Sequence, residues 1–180
     1  MTTDEALAFL AAHQPMPNCP ASPGEPELTD ELCNRCIDAL DCFSDETNRP
    51  DPRCIPLLLG SFPDRTGIGM YNRVEEVVMR YPADVVVPHL EGTLRSDRSG
   101  VRYWSAQIVA SFPDPRLIEP LAALLRDDDR DVRFFAVVAL AEIDSARVTP
   151  QLERTLRTES DDEIRTVLED TLRGDSTTSE

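Results

Sequence analysis

At 180 residues the chain is long enough for one compact domain or a short repeat array. Its 34 acidic residues against 18 basic ones leave a net charge of -16, and with no lysine present all 18 basic residues are arginine. This excludes Schiff-base and P-loop lysine chemistry, disfavours phosphate backbones as partners, and favours a basic protein partner.

The first residues, Met-Thr-Thr-Asp-Glu, lack the basic start and apolar core of a signal peptide, and no stretch approaches a membrane span, so a cytoplasmic location without membrane attachment is expected. Residues 3–13 read as a helix, with Thr2 and Glu5 at capping-box spacing. A segment rich in proline follows (Pro15, Pro17, Pro20, Pro23, Pro26). Thr29 then caps a helix running to about Phe43, with Leu32, Cys36, Leu40 and Phe43 on one apolar stripe. Residues 1–50 are expected to form an N-terminal helical cap, residues 51–174 a repeat array, and residues 175–180 a frayed tail.

The repeat emerges when four prolines are aligned. Pro56, Pro88, Pro120 and Pro150 follow one another at spacings of 32, 32 and 30, each opening a similar apolar phrase. Proline is tolerated in the first turn of a helix, so each is expected to mark the start of a first helix. Between them Val101-Arg102, Val132-Arg133 and Ile164-Arg165 recur, each after a polar cluster suited to capping a second helix. The stretch from Met70 to Tyr81 is a degenerate copy that keeps Val74, Val77, Val78 and Tyr81 as its apolar face.

The fullest copy is Asp129-x-x-Val132-Arg133-x-x-Ala136-Val-x-Ala139-Leu140-x-x-Ile143. It resembles the core of HEAT repeats, especially the short variant typified by phycobilisome lyase-like proteins. That resemblance covers residues 52–173 or so. It implies an all-α fold, a right-handed α-α superhelix of about four helix pairs with second helices lining the concave face. Small Ala136 and Ala139 let neighbouring helices approach, and Val132, Leu140 and Ile143 fill the seam.

Cys33-x-x-Cys36, Cys42 and Cys54 have the residue type of zinc ligands, but Cys33 and Cys36 fall within an expected helix rather than on turns, so neither a metal nor any other cofactor is expected. All five cysteines lie between Cys19 and Cys54, and the odd number does not read as a secreted disulfide framework. His13 and His89 have no repeated partner, and no catalytic residue stands out. Asp127, Asp128, Asp129 and Asp131 read as a solvated turn feeding a helix N-terminus.

Tyr103 and Phe134 occupy equivalent positions one repeat apart, as do Trp104 and Phe135. A hydrophobic anchor of Tyr103, Trp104 and Phe134, rimmed by Glu76 and other acids and by Arg102, Arg133 and Arg165, would suit protein binding. Phe135 reads instead as core. Tyr103 and Trp104, whose offset is expected to lie outside the Val101, Ile108 and Phe112 core stripe, fit burial by neighbouring first helices as well as they fit the anchor. The arginines could equally be structural, pairing with aspartates of the preceding turn. The function expected is a non-catalytic scaffold, monomeric, that binds a basic protein in the manner of an immunity protein or antitoxin opposing a toxin domain. The alternative is a bilin lyase-like or other prosthetic-group enzyme of the short HEAT class. A HEAT-like DNA glycosylase would need a basic face, which the charge opposes.

Overall fold

A computed structural model describes residues 1–16, 30–44, 51–62 and 68–175. Every regular element among them is helical: α1 Thr3–Ala12, α2 Asp30–Ser44, α3 Cys54–Leu59, α4 Ile68–Val78, α5 Ala83–Thr93, α6 Ser99–Val109, α7 Ile118–Leu124, α8 Arg130–Ala141, α9 Thr149–Leu156 and α10 Asp162–Asp175. A 3-10 turn, Pro115–Leu117, leads directly into α7. This all-α architecture, without a strand among the described residues, is consistent with an α-α superhelical solenoid. Thr29, Cys19 and the prolines from Pro17 to Pro26 lie outside the described residues.

The chain divides into two compact units, Met1–His89 and Leu90–Glu180. In the first, α1 packs on α2 and α3, α2 on α4, and α3 on α4. The two helices expected to form an N-terminal cap, α1 and α2, pack on α3 and α4. Thr2 caps α1 by the expected box: its hydroxyl accepts the Glu5 N–H, and the Glu5 carboxylate accepts the Thr2 N–H at 2.7 Å. Phe9, Leu10, Cys36, Leu40, Phe43, Ile55, Leu58, Phe62, Val74, Val77 and Val78 are buried as its core. Gln14 bridges two helices, its side-chain amide donating to the carbonyls of Leu10 and Leu57. The Cys54 thiol donates to the Tyr81 hydroxyl at 3.3 Å, and that hydroxyl donates to the Asp51 carbonyl at 3.1 Å.

In the second unit α7 packs on α8, α9 on α10, and α6, α8 and α10 lie side by side as one layer. Val132, Ala136, Ala139 and Leu140 of α8 are fully buried, and Ile143 is nearly so. Two small residues one turn apart allow the close approach that the neighbouring helices make. Asp129 caps α8, its carboxylate accepting the N–H groups of Asp131 and Val132. Asp161 does the same for α10 with Glu163 and Ile164. The equivalent position before α6 is Arg98, and that helix has no side-chain cap.

The prolines depart from expectation at one place. Pro56, Pro120 and Pro150 fall early in α3, α7 and α9, where a missing N–H costs little. Pro88 lies in the interior of α5, which begins five residues earlier at Ala83. Asp84 supports that earlier start from the first turn. Pro88 is exposed, so the carbonyl it leaves without a helical donor can be satisfied by water.

Candidate interaction surface

The second helices of the second unit carry an arginine at one repeated position, and all three use it alike. Each Nη1 donates to the carbonyl six residues earlier: Arg102 to Ser96 at 2.9 Å, Arg133 to Asp127 at 2.9 Å, and Arg165 to Glu159 at 3.1 Å. These bonds fasten the turn to the helix it precedes. The other edge of the guanidinium reaches forward. Arg102 Nε and Nη2 hold the two carboxylate oxygens of Asp127 at 2.6 and 3.0 Å. Arg133 holds Glu159 through the same two nitrogens at 3.0 and 3.4 Å. Such planar, two-point pairs are a geometry arginine provides and lysine cannot.

Asp127 and Glu159 thus each serve two helices. The side chain receives the arginine of the preceding second helix, and the main-chain carbonyl receives the arginine of its own. The carboxylates also accept backbone N–H groups two residues on, those of Asp129 and Asp161, at 3.0 Å each. Both are nearly buried, with side chains 7% and 5% exposed. Burial by itself would raise their pKa, but the guanidinium and the backbone N–H donors outweigh it and hold both below the ordinary carboxylate range. The arginines expected to rim a binding site are therefore tied into the fold. Arg102 and Arg133 pair with the carboxylate in the turn that leads into the next second helix rather than with side chains of the turn before their own.

A parallel contact joins α8 to α10. Arg130 donates from Nε to Asp161 at 3.0 Å and pairs also with Asp131 and Glu163, while its guanidinium lies 5.8 Å from the centre of the Phe134 ring.

The aromatic side chains meet across α6 and α8. Tyr103 stands edge-on to Trp104 at 5.3 Å and to Phe135 at 5.0 Å, and Phe135 stands edge-on to Phe134 at 5.3 Å. Trp104 is 5% exposed and belongs to the core. Its spacing explains this, because residues 101, 104 and 108 are i, i+3 and i+7 on one helix face. The expectation that Trp104 stands outside the core stripe is corrected by that count. Phe135, expected to be core, is half-exposed, as are Tyr103, Phe134 and Val138. Glu76, on α4, is exposed and belongs to the first unit. In α10 the positions of Phe134 and Phe135 are Thr166 and Val167, so the aromatic seam is confined to α6 and α8.

The turns before α8 and α10 form an open polar cleft of about 370 Å³ lined by Arg126, Asp128, Arg133, Thr158, Glu159 and Ser160, among others. In the first unit a cleft of about 540 Å³ between α1 and α2 is lined by Glu5, Phe9, His13, Arg35 and Asp38. There the His13 ring stacks on Phe9 at 4.1 Å, and the Arg35 guanidinium lies 4.7 Å from the same ring.

Cys33 is disulfide-bonded, whereas Cys36, Cys42 and Cys54 are not in disulfides. Burial pushes the Cys54 thiol up to about 11 and raises Cys36 as well, so neither is a thiolate near neutral pH. Among the described residues no cluster of His, Cys, Asp or Glu has the arrangement of a metal site, and no helix is long and apolar enough to cross a membrane.

Residues 87–173 match a protein-family model described as HEAT repeats. No curated protein matches the chain.

Proposed function

Residues 87–173 are a HEAT-repeat segment, and from that premise we propose that the protein is a non-catalytic binding scaffold that holds a basic protein on the exposed face of α6 and α8. HEAT repeats commonly mediate protein–protein binding. The observation that carries the reading is the half-exposed seam of Tyr103, Phe135 and Phe134, three rings in edge-on contact beside Arg102 and Arg133, which are already engaged. Aromatic anchors with polar surroundings are the usual centre of a protein interface. The net charge of -16 favours a cationic partner and would speed its approach. The buried, protonated thiols of Cys36 and Cys54 support the non-catalytic reading, since neither is a ready nucleophile.

The specific role we propose is that of a cytoplasmic immunity protein or antitoxin, monomeric until it captures a basic toxin domain. The test is a pull-down from the native host, followed by affinity measurements with the F134A and F135A variants. Each is expected to keep the helical circular-dichroism spectrum and to lose about 2 kcal/mol or more of binding. Added salt is expected to weaken binding further. Unchanged affinity in both variants would sink the proposed face, and an acidic captured partner would sink the charge argument.

A further inference from the structure

We infer that Arg165 is a receptor for a carboxylate presented by a partner protein, the open end of the arginine series in the second unit. The argument is an internal comparison. Arg102, Arg133 and Arg165 share the Nη1 bond to the carbonyl six residues back, so the three guanidinium groups are held by the same anchor. Arg165 has a second anchor, the Leu156 carbonyl at 2.9 Å. In the first two, the free edge of Nε and Nη2 is filled by Asp127 or Glu159. In Arg165 the only carboxylate within ion-pair range among the described residues is Glu169 of its own helix, at 3.9 Å and beyond hydrogen-bonding distance. The side chain is 39% exposed, against 17% and 18% for the other two.

An oriented guanidinium with one edge open is prepared for a two-point bond, because its anchors have already restricted the side chain. The two filled positions specify the occupant. In both, the carboxylate sits in a turn just before a helix and accepts the N–H of the residue two positions on. The site therefore fits an Asp or Glu in a helix-entry turn of a protein partner. Glu169 is the built-in competitor that a partner displaces. This site is separate from the aromatic seam, so either can fail without the other.

The experiment follows the Arg165 Nε–H resonance by NMR while the intact protein is titrated with a peptide of residues 156–164, which carries the Glu159 turn that Arg133 binds. The Arg165 resonance is expected to move and saturate in the millimolar range, as suits one exposed pair. Exposed Arg154 and Arg157 should move far less. The same peptide with Glu159→Gln should not bind, and the Glu169→Gln protein should bind the original peptide about two-fold tighter, the strength of an i,i+4 pair. A shift without saturation, equal shifts at Arg154 and Arg157, or equal binding of the Gln peptide would each overturn the assignment. The one protein variant used, Glu169→Gln, touches only exposed ion pairs of α10, those with Arg165 and Arg173.

Discussion

In the first unit several polar contacts between helices end on main-chain carbonyls: Arg80 on that of Phe43, Tyr81 on that of Asp51, Gln14 on that of Leu57. One side-chain ion pair between its helices, Arg73 with Asp41, is exposed on both sides. In the second unit each arginine of the series ties its own turn and, for Arg102 and Arg133, the next turn as well, through carboxylates that are nearly buried. Both units have apolar cores, but among the described residues only the second adds a charged register device that repeats with the helices. Apolar packing is forgiving of small slides, whereas a two-point guanidinium bond is not. The comparison therefore predicts that charge substitutions will separate the units and that core substitutions will not.

The largest effect should come from Val132→Asp or Leu140→Asp. Both side chains are fully buried, and an unpaired carboxylate there should cost about 4 kcal/mol or more, read as loss of the second unit's cooperative transition in denaturant. Trp104→Ala should cost about 3–5 kcal/mol for the same reason of burial, while Phe134→Ala should cost far less; equal losses would show that the seam is core throughout. Glu159→Gln or Asp127→Asn tests the register device itself. Each removes the charge from a hydrogen-bonded pair and should cost about 1.5–3 kcal/mol, whereas Asp41→Asn in the first unit should cost under about 1 kcal/mol.

Acid sharpens the same contrast. The carboxyls of Asp127 and Glu159 are depressed in the folded protein, so their contribution is complete above the unfolded carboxylate range near about pH 4 and is lost as pH falls through their lower folded values. Melting of the second unit should shift to lower temperature across that window, and Glu159→Gln should flatten the dependence. The smallest effect is Thr2→Ala, which removes the capping box of α1 for about 1 kcal/mol, measurable as faster amide exchange in that helix.

The helices were largely legible in the amino-acid order, because proline spacing and the Val-Arg phrase report a helix-pair period directly. Asp129 as a cap was legible for the same local reason. Pro88 misled because the rule for proline in a helix concerns the freed carbonyl, and an exposed face lets water satisfy that group. Trp104 was legible in principle, since its offsets from Val101 and Ile108 place all three on one face. Phe135 was not legible: its offset from Val132 also suggests the core, and its exposure depends on how α6 and α8 sit side by side. The forward reach of Arg102 and Arg133 to residues 25 and 26 positions later was hidden for a related reason. Local sequence gave aspartates nearer at hand, and only the stacking of helix pairs brings the more distant carboxylate closer.

The arginine series also makes the two edges of the second unit unequal towards changes of length. The turns at 96–98, 127–129 and 158–161 lead into second helices and carry the carbonyls and carboxylates that the arginines grip. One residue inserted there would move both the anchor six residues back and the carboxylate, so two bonds would be lost together. The turns on the other edge, 111–114 and 142–148, carry none of these groups. Loop insertions, tags or circularly permuted ends should therefore be tolerated at 113–114 and 144–147, which avoid the buried Phe112, Ile143 and Val148, and rejected at 127–129 and 158–161. The unit thus has one edge that is freer to vary and one whose length is set by its charge pairs.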